Sequence, residues 1–121
     1  MRKFLWTTLH VSDLDRSIAF YGDLVDLTVQ QRIKAGDLEL AFLGYGEAGE
    51  SLLELIQSPR DVSFTGDVSI GFQVESVEDM LPILKQKKIA LSGGPFVGPD
   101  HVFVFVNDPD GMSVQLFEKR T

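Results

Sequence analysis

Two polar residues stand in the middle of apolar runs and could take part in chemistry. Glu54 lies within residues 51–56, and Gln115 lies at the matching place within residues 112–117. Both runs are short and apolar enough to be strands, in which successive side chains point to opposite faces. A carboxylate on an apolar surface needs a cation or hydrogen-bond donors, or it takes up a proton. Glu54 is therefore a candidate binding residue.

Three further residues are candidates for the same site. Trp6 and His10 share one face of a strand predicted over residues 4–11, and Trp6 offers an indole face to a planar or cationic ligand. The alternative is a tryptophan that fills the core. Ser69 faces inwards from a later strand and could donate a hydrogen bond. His10 and His101 are the only histidines, and we expect both at the rim or the surface.

The elements that must position these residues follow one another in the order βαβββ. In the first half the strands are predicted over residues 4–11, 27–33, 38–43 and 51–57. An amphipathic helix follows Ser12 or Asp13 and ends near Val25, because Leu14, Ile18, Tyr21 and Val25 recur at helical spacing. A glycine-rich loop is predicted over residues 44–50.

The pattern begins again after a linker at residues 58–66. A strand over residues 67–75 leads to a helix capped by Ser76, or by Asp79 if Pro82 must lie in the first turn. A weak strand is predicted over residues 89–91, and a loop rich in glycine and proline over 92–100.

A β-hairpin closes the chain. Strands over residues 102–106 and 112–117 flank Asn-Asp-Pro-Asp-Gly at 107–111, in which Pro109 favours a turn and Gly111 tolerates a positive φ. The alternation places Ser113, Gln115 and Phe117 on one face. Which face of residues 101–106 shares that side is left open.

The two halves form an internal repeat. At an offset of 63 residues Trp6 falls on Ser69, and at an offset of 61 Glu54 falls on Gln115. Two copies are too few for a solenoid, so we expect a paired module. The sequence predicts one α+β domain over residues 1–121, with modules at 4–57 and 66–119. Their curled mixed sheets are expected to pair around a cup, with these four residues towards one centre.

Composition excludes several classes of partner. The chain has 121 residues and a net charge of −7, which disfavours binding to nucleic acid. It has no cysteine, no apolar core of a signal peptide at its start and no run of about 20 apolar residues for a membrane span. We therefore expect a cytoplasmic protein with a small-molecule ligand.

Residues of both halves resemble the vicinal oxygen chelate superfamily. The resemblance rests on the strand ending Val-Ser-Asp-Leu at 11–14, on Asp-Arg-Ser-Ile-Ala-Phe-Tyr at 15–21, on the repeated module and on Asp-Pro-Asp-Gly at 108–111. That superfamily includes glyoxalase I, extradiol dioxygenases and the bleomycin resistance proteins. The resemblance implies the paired-module fold, whereas one fold of this kind carries many chemistries.

The resemblance also implies where a metal would bind. The enzymes of the superfamily hold a divalent metal through the first and last strands of both modules, and the corresponding residues are Trp6, Glu54, Ser69 and Gln115. Of these, Glu54 is a strong ligand, and Gln115 could coordinate through its carbonyl oxygen. Trp6 has no lone pair to donate.

Three functions follow from these observations as hypotheses. The first is a metal-free protein that binds a small flat or cationic organic molecule. The second is a lyase or dioxygenase of the glyoxalase I type with an altered ligand set drawn from Glu54, Gln115, His10 and water. The third is a structural or regulatory domain whose cup is filled by its own side chains. The resemblance also predicts a homodimer.

Overall fold

The computed structural model describes residues 1–47, 50–57 and 59–120. It divides into two compact units, Met1–Val62 and a second unit from Ser63 onwards. The predicted loop at 44–50 and linker at 58–66 include residues 48, 49 and 58, which lie outside the described residues.

The first unit has the predicted order βαβββ. Its elements are β1 (Thr7–Val11), α1 (Leu14–Val25), β2 (Thr28–Ala35), β3 (Leu38–Gly44) and β4 (Leu53–Gln57). The strands form one mixed sheet in the order β1-β4-β3-β2, in which β1 and β4 are parallel and the other pairs antiparallel.

The second unit repeats this topology. Its elements are β5 (Ser69–Gln73), α2 (Val77–Gln86), β6 (Leu91–Val97), β7 (His101–Asn107) and β8 (Ser113–Lys119). The sheet order is β5-β8-β7-β6, again with one parallel pair, β5 and β8. The predicted α+β class with two four-stranded mixed sheets is confirmed. No helix among the described residues is long and apolar enough to cross a membrane.

Each helix covers one face of its own sheet. In the first unit the helix contributes Leu14, Tyr21, Leu24 and Val25 to a core with buried residues of β1, β3 and β4. In the second unit Val102, Val104 and Val106 of β7 and Val114 and Leu116 of β8 are buried on the side of α2. Each such side chain contributes about 1.5–3 kcal/mol when it leaves water. The opposite face of each sheet is left without a helix of its own unit.

The sequence left two N-caps open for the second helix, Ser76 and Asp79, and the structure shows the earlier one. Ser76 is its N-cap, and its side chain accepts a hydrogen bond from the backbone N–H of Asp79 at 3.1 Å. The alternative cap at Asp79 is therefore wrong, and Pro82 lies inside the helix. Pro82 is exposed, so water can serve the carbonyl that its missing N–H leaves without a helical donor.

Three strands are shorter than predicted. β1 begins at Thr7 and not at residue 4, because it pairs with β4, whose first paired residue is Leu53. The predicted start of β4 at residue 51 is wrong for the same reason. Likewise β5 spans Ser69–Gln73 and not 67–75, since its register with β8 begins at Ser113. Trp6 consequently precedes the first strand.

The prediction of a loop at residues 92–100 is wrong for most of these residues. β6 continues through it to Val97, with shifts of register between Leu91 and Gly93 and between Gly93 and Phe96. β6 is an edge strand, and edges tolerate both bulges and the missing N–H of Pro95. The glycines and prolines that suggested a loop instead mark the irregular part of an edge strand.

The predicted hairpin is confirmed. β7 and β8 are antiparallel, and Asn107 pairs with Ser113 at the turn. The Asp108 carboxylate accepts hydrogen bonds from the backbone N–H groups of Asp110 and Met112, each at 2.9 Å. Gly111 has φ 93°, which a residue with a side chain rarely adopts.

In each unit a side chain of the last strand accepts a hydrogen bond from the backbone N–H of the first helical residue. Gln57 Oε1 accepts from the Leu14 N–H at 2.6 Å, and Glu118 Oε1 accepts from the Val77 N–H at 2.8 Å. We call this contact the helix clasp. The two acceptors are 61 residues apart and the two donors 63, so the clasp is part of the internal repeat.

The two clasps differ in charge. A hydrogen bond from Arg120, at 2.7 Å, and then the Val77 N–H lower the pKa of Glu118 below its ordinary 4.5. A group with a lowered pKa stabilises the fold above its unfolded-state pKa, and that stability is lost as the pH falls through the folded-state pKa. Gln57 does not titrate, so the first clasp lacks this dependence.

We therefore predict that exchanging the two acceptors exchanges their acid sensitivity. Glu118→Gln should make the free energy of unfolding fall less steeply below about pH 4.5, and Gln57→Glu should make it fall more steeply. Gln57→Ala should cost roughly 1–3 kcal/mol at every pH, because the buried Leu14 N–H loses its acceptor. Urea denaturation between pH 7 and pH 3 measures all three.

Glu75→Gln provides the control, because it removes an exposed carboxylate that belongs to neither clasp. An unchanged pH profile for Glu118→Gln would contradict the assignment.

Candidate functional site

The face of each sheet opposite its helix carries the candidate residues, and we call it the open face. Burial alternates along the central strands: in β8, Val114, Leu116 and Glu118 are buried, whereas Ser113, Gln115 and Phe117 are half-buried. The alternation is the same in β7. The open faces are therefore accessible and chemically distinct from the core faces.

Glu54 lies on the open face of the first unit. Its neighbours across the sheet are Thr8 in β1 and Phe42 in β3. The Thr8 hydroxyl donates a hydrogen bond to Glu54 Oε1 at 2.7 Å. This contact satisfies one lone pair of the carboxylate and leaves the other oxygen for a ligand.

Trp6 lies beside this carboxylate's neighbour Phe42. The two ring centroids are 4.8 Å apart and the rings meet edge to face at 69°. Trp6 is 37% exposed, so it does not fill the core of its unit. It lines a groove of about 350 Å³ together with Lys3, Phe4, Leu5, Glu50, Ser51 and Leu52.

His10 lies two residues beyond Thr8 on the same face of β1, opposite Ile56 of β4. It is half-buried, and its Nδ1 atom is enclosed without a hydrogen-bond partner among the described residues. The sequence predicted a rim position for His10. The rim position stays a prediction, as does the cup itself.

The open face of the second unit is built from rows of residues that pair across three strands. The rows, taken from β5 through β8 to β7, are Ser69-Ser113-Asn107, Gly71-Gln115-Phe105 and Gln73-Phe117-Phe103, followed by Lys119-His101 across two strands. The first row is polar, and the others become aromatic along the strands. Ser69 and Gln115 therefore lie on one face in adjacent rows.

Gln115 extends over the glycine beside it. A Cβ atom at Gly71 would lie 3.2 Å from Gln115 Oε1, so the absence of a side chain there makes room for the amide. In the first unit the matching position is Thr8, which instead donates to Glu54. The two units thus use the same pair of strand positions for different polar contacts.

Five rings form a continuous surface on this open face. We call it the aromatic patch, and its members are Phe96, His101, Phe103, Phe105 and Phe117. Phe103 and Phe117 are stacked with centroids 5.8 Å apart and an interplanar angle of 12°. His101 stacks on both at 5.8 and 5.5 Å, and its Nδ1 lies 2.8 Å from Asp100 Oδ1. Phe96 lies 5.2 Å from Phe103 and is 48% exposed.

The sequence did not identify this patch, because it left open which face of residues 101–106 shares the side of Gln115. The structure places His101, Phe103 and Phe105 there and buries the three valines of β7. The hairpin turn contained the missing signal. Pairing Asn107 with Ser113 across that turn puts Phe105 opposite Gln115, and period-two alternation then assigns the whole strand.

The candidate residues are divided between the units. Trp6, His10 and Glu54 lie on the open face of the first, and Ser69 and Gln115 on that of the second. Their convergence on one centre, and the cup itself, stay predictions. Among the described residues no cluster of three or more His, Asp or Glu side chains is placed to hold a metal ion.

Two βαβββ units of one topology, each with a parallel pair of first and last strands, define the class of protein. It is the paired-module fold that the vicinal oxygen chelate proteins share. The model of the Glyoxalase/Bleomycin resistance protein/Dioxygenase superfamily matches residues 3–116. The chain belongs to that superfamily.

Comparisons with individual proteins agree with this assignment. The lactoylglutathione lyase of Haemophilus influenzae is 30% identical over 133 residues, which cover 98% of this chain and 94% of that one. The structure of the trypanothione-dependent glyoxalase I of Leishmania major superposes with a TM-score of 0.81 at 30% identity, covering 98% and 87% of the two chains. An antibiotic-binding protein from a Streptomyces strain shares the fold, with a TM-score of 0.71 at 16% identity over 98% and 97%.

Proposed function

We propose that this protein binds a small planar organic molecule on the aromatic patch and does so without a metal ion. The observation that carries the proposal is the patch itself. Five rings lie side by side on a sheet face that no helix of the second unit covers. A contiguous apolar surface that stays half-buried to exposed is typical of a binding site.

The geometry of the rings supports a planar ligand. His101, Phe103 and Phe117 are within 22° of parallel and stack on one another, so they form one ordered apolar surface against which a flat ring can pack edge to face. Stacked or edge-to-face aromatic pairs contribute about 0.5–1.5 kcal/mol beyond the area that they bury. The hydrogen bond between Asp100 and His101 holds the end of the surface in place.

The residues at the four metal-ligand positions do not fit a divalent metal of the nickel, zinc or iron type. Such ions prefer nitrogen and carboxylate donors. Trp6 has no lone pair for a metal, Ser69 supplies a neutral hydroxyl and Gln115 a neutral amide oxygen. Glu54 alone offers a carboxylate, and it already accepts a hydrogen bond from Thr8.

The sequence predicts that Glu54 converges with Gln115 on one centre, and on that prediction Glu54 sets a preference among planar ligands. A carboxylate near the indole of Trp6 favours a cationic substituent over an anionic one. The net charge of −7 would draw such a ligand towards the protein at low salt.

A lyase of the glyoxalase I type is the second candidate. The observation in its favour is the name of the relatives, since several proteins about 30% identical along nearly the whole chain are lactoylglutathione lyases. This function would require a metal held by Glu54 and Gln115 with other donors.

Two probes that share one ring system test the binding proposal. Phe103→Leu should weaken both 2-naphthol and 2-naphthylmethylamine by about 0.5–1.5 kcal/mol, because each loses an aromatic partner. On the predicted convergence of the two halves on one centre, Glu54→Gln should weaken only the amine, by about 1–2 kcal/mol, because only the amine is cationic. Titration calorimetry at low salt measures these changes.

Phe20→Leu is the matched control, since Phe20 belongs to helix α1 and not to the patch. If wild-type protein binds neither probe, the proposed function is wrong. If Glu54→Gln weakens both probes equally, the charge preference is wrong.

The proposal that the protein binds its ligand without a metal can be tested separately. Protein purified without chelators should contain far less than one equivalent of nickel, zinc or iron per chain, and added metal should produce no lactoylglutathione lyase activity. Elemental analysis and a lyase assay measure the two quantities. About one equivalent of metal, lost in Glu54→Ala, would favour the second candidate instead.

We also propose a homodimer. Several apolar side chains are well exposed, namely Phe4 and Leu5 before β1, Val68 before β5 and Val97 at the end of β6. Burial of such groups between two copies would remove apolar area from water. One chain has a mass of 13.4 kDa. Light scattering at micromolar concentration should report twice that mass, and a monomer at this concentration would contradict the proposal.

A further inference from the structure

A groove of about 510 Å³ adjoins the aromatic patch on the second unit. Its apolar wall is formed by Phe96 and Phe105, two members of the patch. Its other lining residues include five polar ones: Asp67, Ser69, Ser92, Asn107 and Ser113. The volume falls within the range of small-molecule sites, and a few polar groups beside aromatic rings are typical of such sites.

Three of the polar side chains form one row across the sheet. Asn107, Ser113 and Ser69 are paired residues on β7, β8 and β5, and all three face the open side. Neighbouring strands lie about 5 Å apart, so the row offers hydrogen-bonding groups at regular intervals of that size. Hydroxyl groups at opposite positions of a six-membered ring have a similar separation.

These polar side chains are available to a ligand. Ser69, Ser92, Asn107 and Ser113 make no side-chain hydrogen bond within the described part of the chain. Serine hydroxyls and the asparagine amide can each donate and accept. The groove can therefore match a ligand that carries several groups of the same dual character.

The charge of the groove favours neutral ligands over anionic ones. No Lys, Arg or His is among its lining residues, and its one charged side chain is the carboxylate of Asp67. Asp67 accepts a hydrogen bond from the Thr65 hydroxyl at 3.2 Å and can accept more from a ligand. A phosphate or carboxylate would meet this negative charge without a cation to balance it, whereas hydroxyl groups would donate to it.

We propose that this groove binds a neutral polyhydroxylated ring of pyranose size, attached to the planar group that packs on the aromatic patch. The apolar face of the sugar ring would lie on Phe96 and Phe105, and its hydroxyls would reach the polar row. The ligand class is thus an aryl glycoside. This inference rests on the proposed function, because it extends a planar ligand at the same open face.

Two probes that differ only in the sugar test the inference. 2-Naphthyl β-D-glucopyranoside should bind wild-type protein at least 10-fold more tightly than 2-naphthol. Ser92→Ala and Ser113→Ala should each weaken the glucoside roughly 3- to 10-fold, the effect of one neutral hydrogen bond, and change 2-naphthol binding less than 2-fold. Titration calorimetry measures the dissociation constants.

Ser51→Ala is the matched control, because Ser51 lines the separate groove of the first unit. Thermal unfolding of each variant shows that the serine changes leave the fold intact. If 2-naphthol binds and the glucoside binds no more tightly, the inference is wrong and the proposed function stands. If the two serine variants leave glucoside binding unchanged, the inference is also wrong. If neither probe binds, both proposals fall.

Discussion

The helix clasp is the contact on which the rest of each unit depends. Gln57 and Glu118 reach from the last strand to the first N–H of the helix, a group that the helix itself cannot satisfy. Because the last strand lies next to the first strand in the sheet, the contact holds the helix over the centre of one face. It thereby fixes the start of the helix on the face that the buried side chains of the sheet make the core.

Much of the fold could be predicted from the sequence because the same local signals occur twice. Offsets of 61 and 63 residues align strand with strand, and Pro109 and Gly111 between two β-prone runs identify a hairpin. The errors fell where pairing decides the structure. Whether residues 92–97 form a strand depends on β7 beside them, and the start of β1 depends on the length of β4. Neither the strand at residues 92–97 nor the start of β1 can be predicted from the residues of that strand alone.

The site was predictable to a smaller extent, for a related reason. Glu54 and Gln115 stand out because a polar residue in an apolar strand is costly unless it has a partner. Phe103 and Phe105 do not stand out, because phenylalanine between valines is ordinary for a buried strand. Only the register with β8 shows that these rings lie beside Gln115 and away from the core. Sequence therefore indicated the polar candidates and missed the aromatic surface around one of them.

The separation of the two faces explains how a fold of this family accommodates such a changed set of residues. Val104, Val114 and Leu116 are fully buried, and a substitution there would lose packing worth kilocalories per mole. Gln115 lies one residue from two of them yet points to the opposite face. A change at Gln115 alters the chemistry of the open face and leaves the core contacts in place. The clasp and the core thus support the fold independently of the residues that a ligand would contact, so the tryptophan at residue 6 and the glutamine at residue 115 cost the fold little.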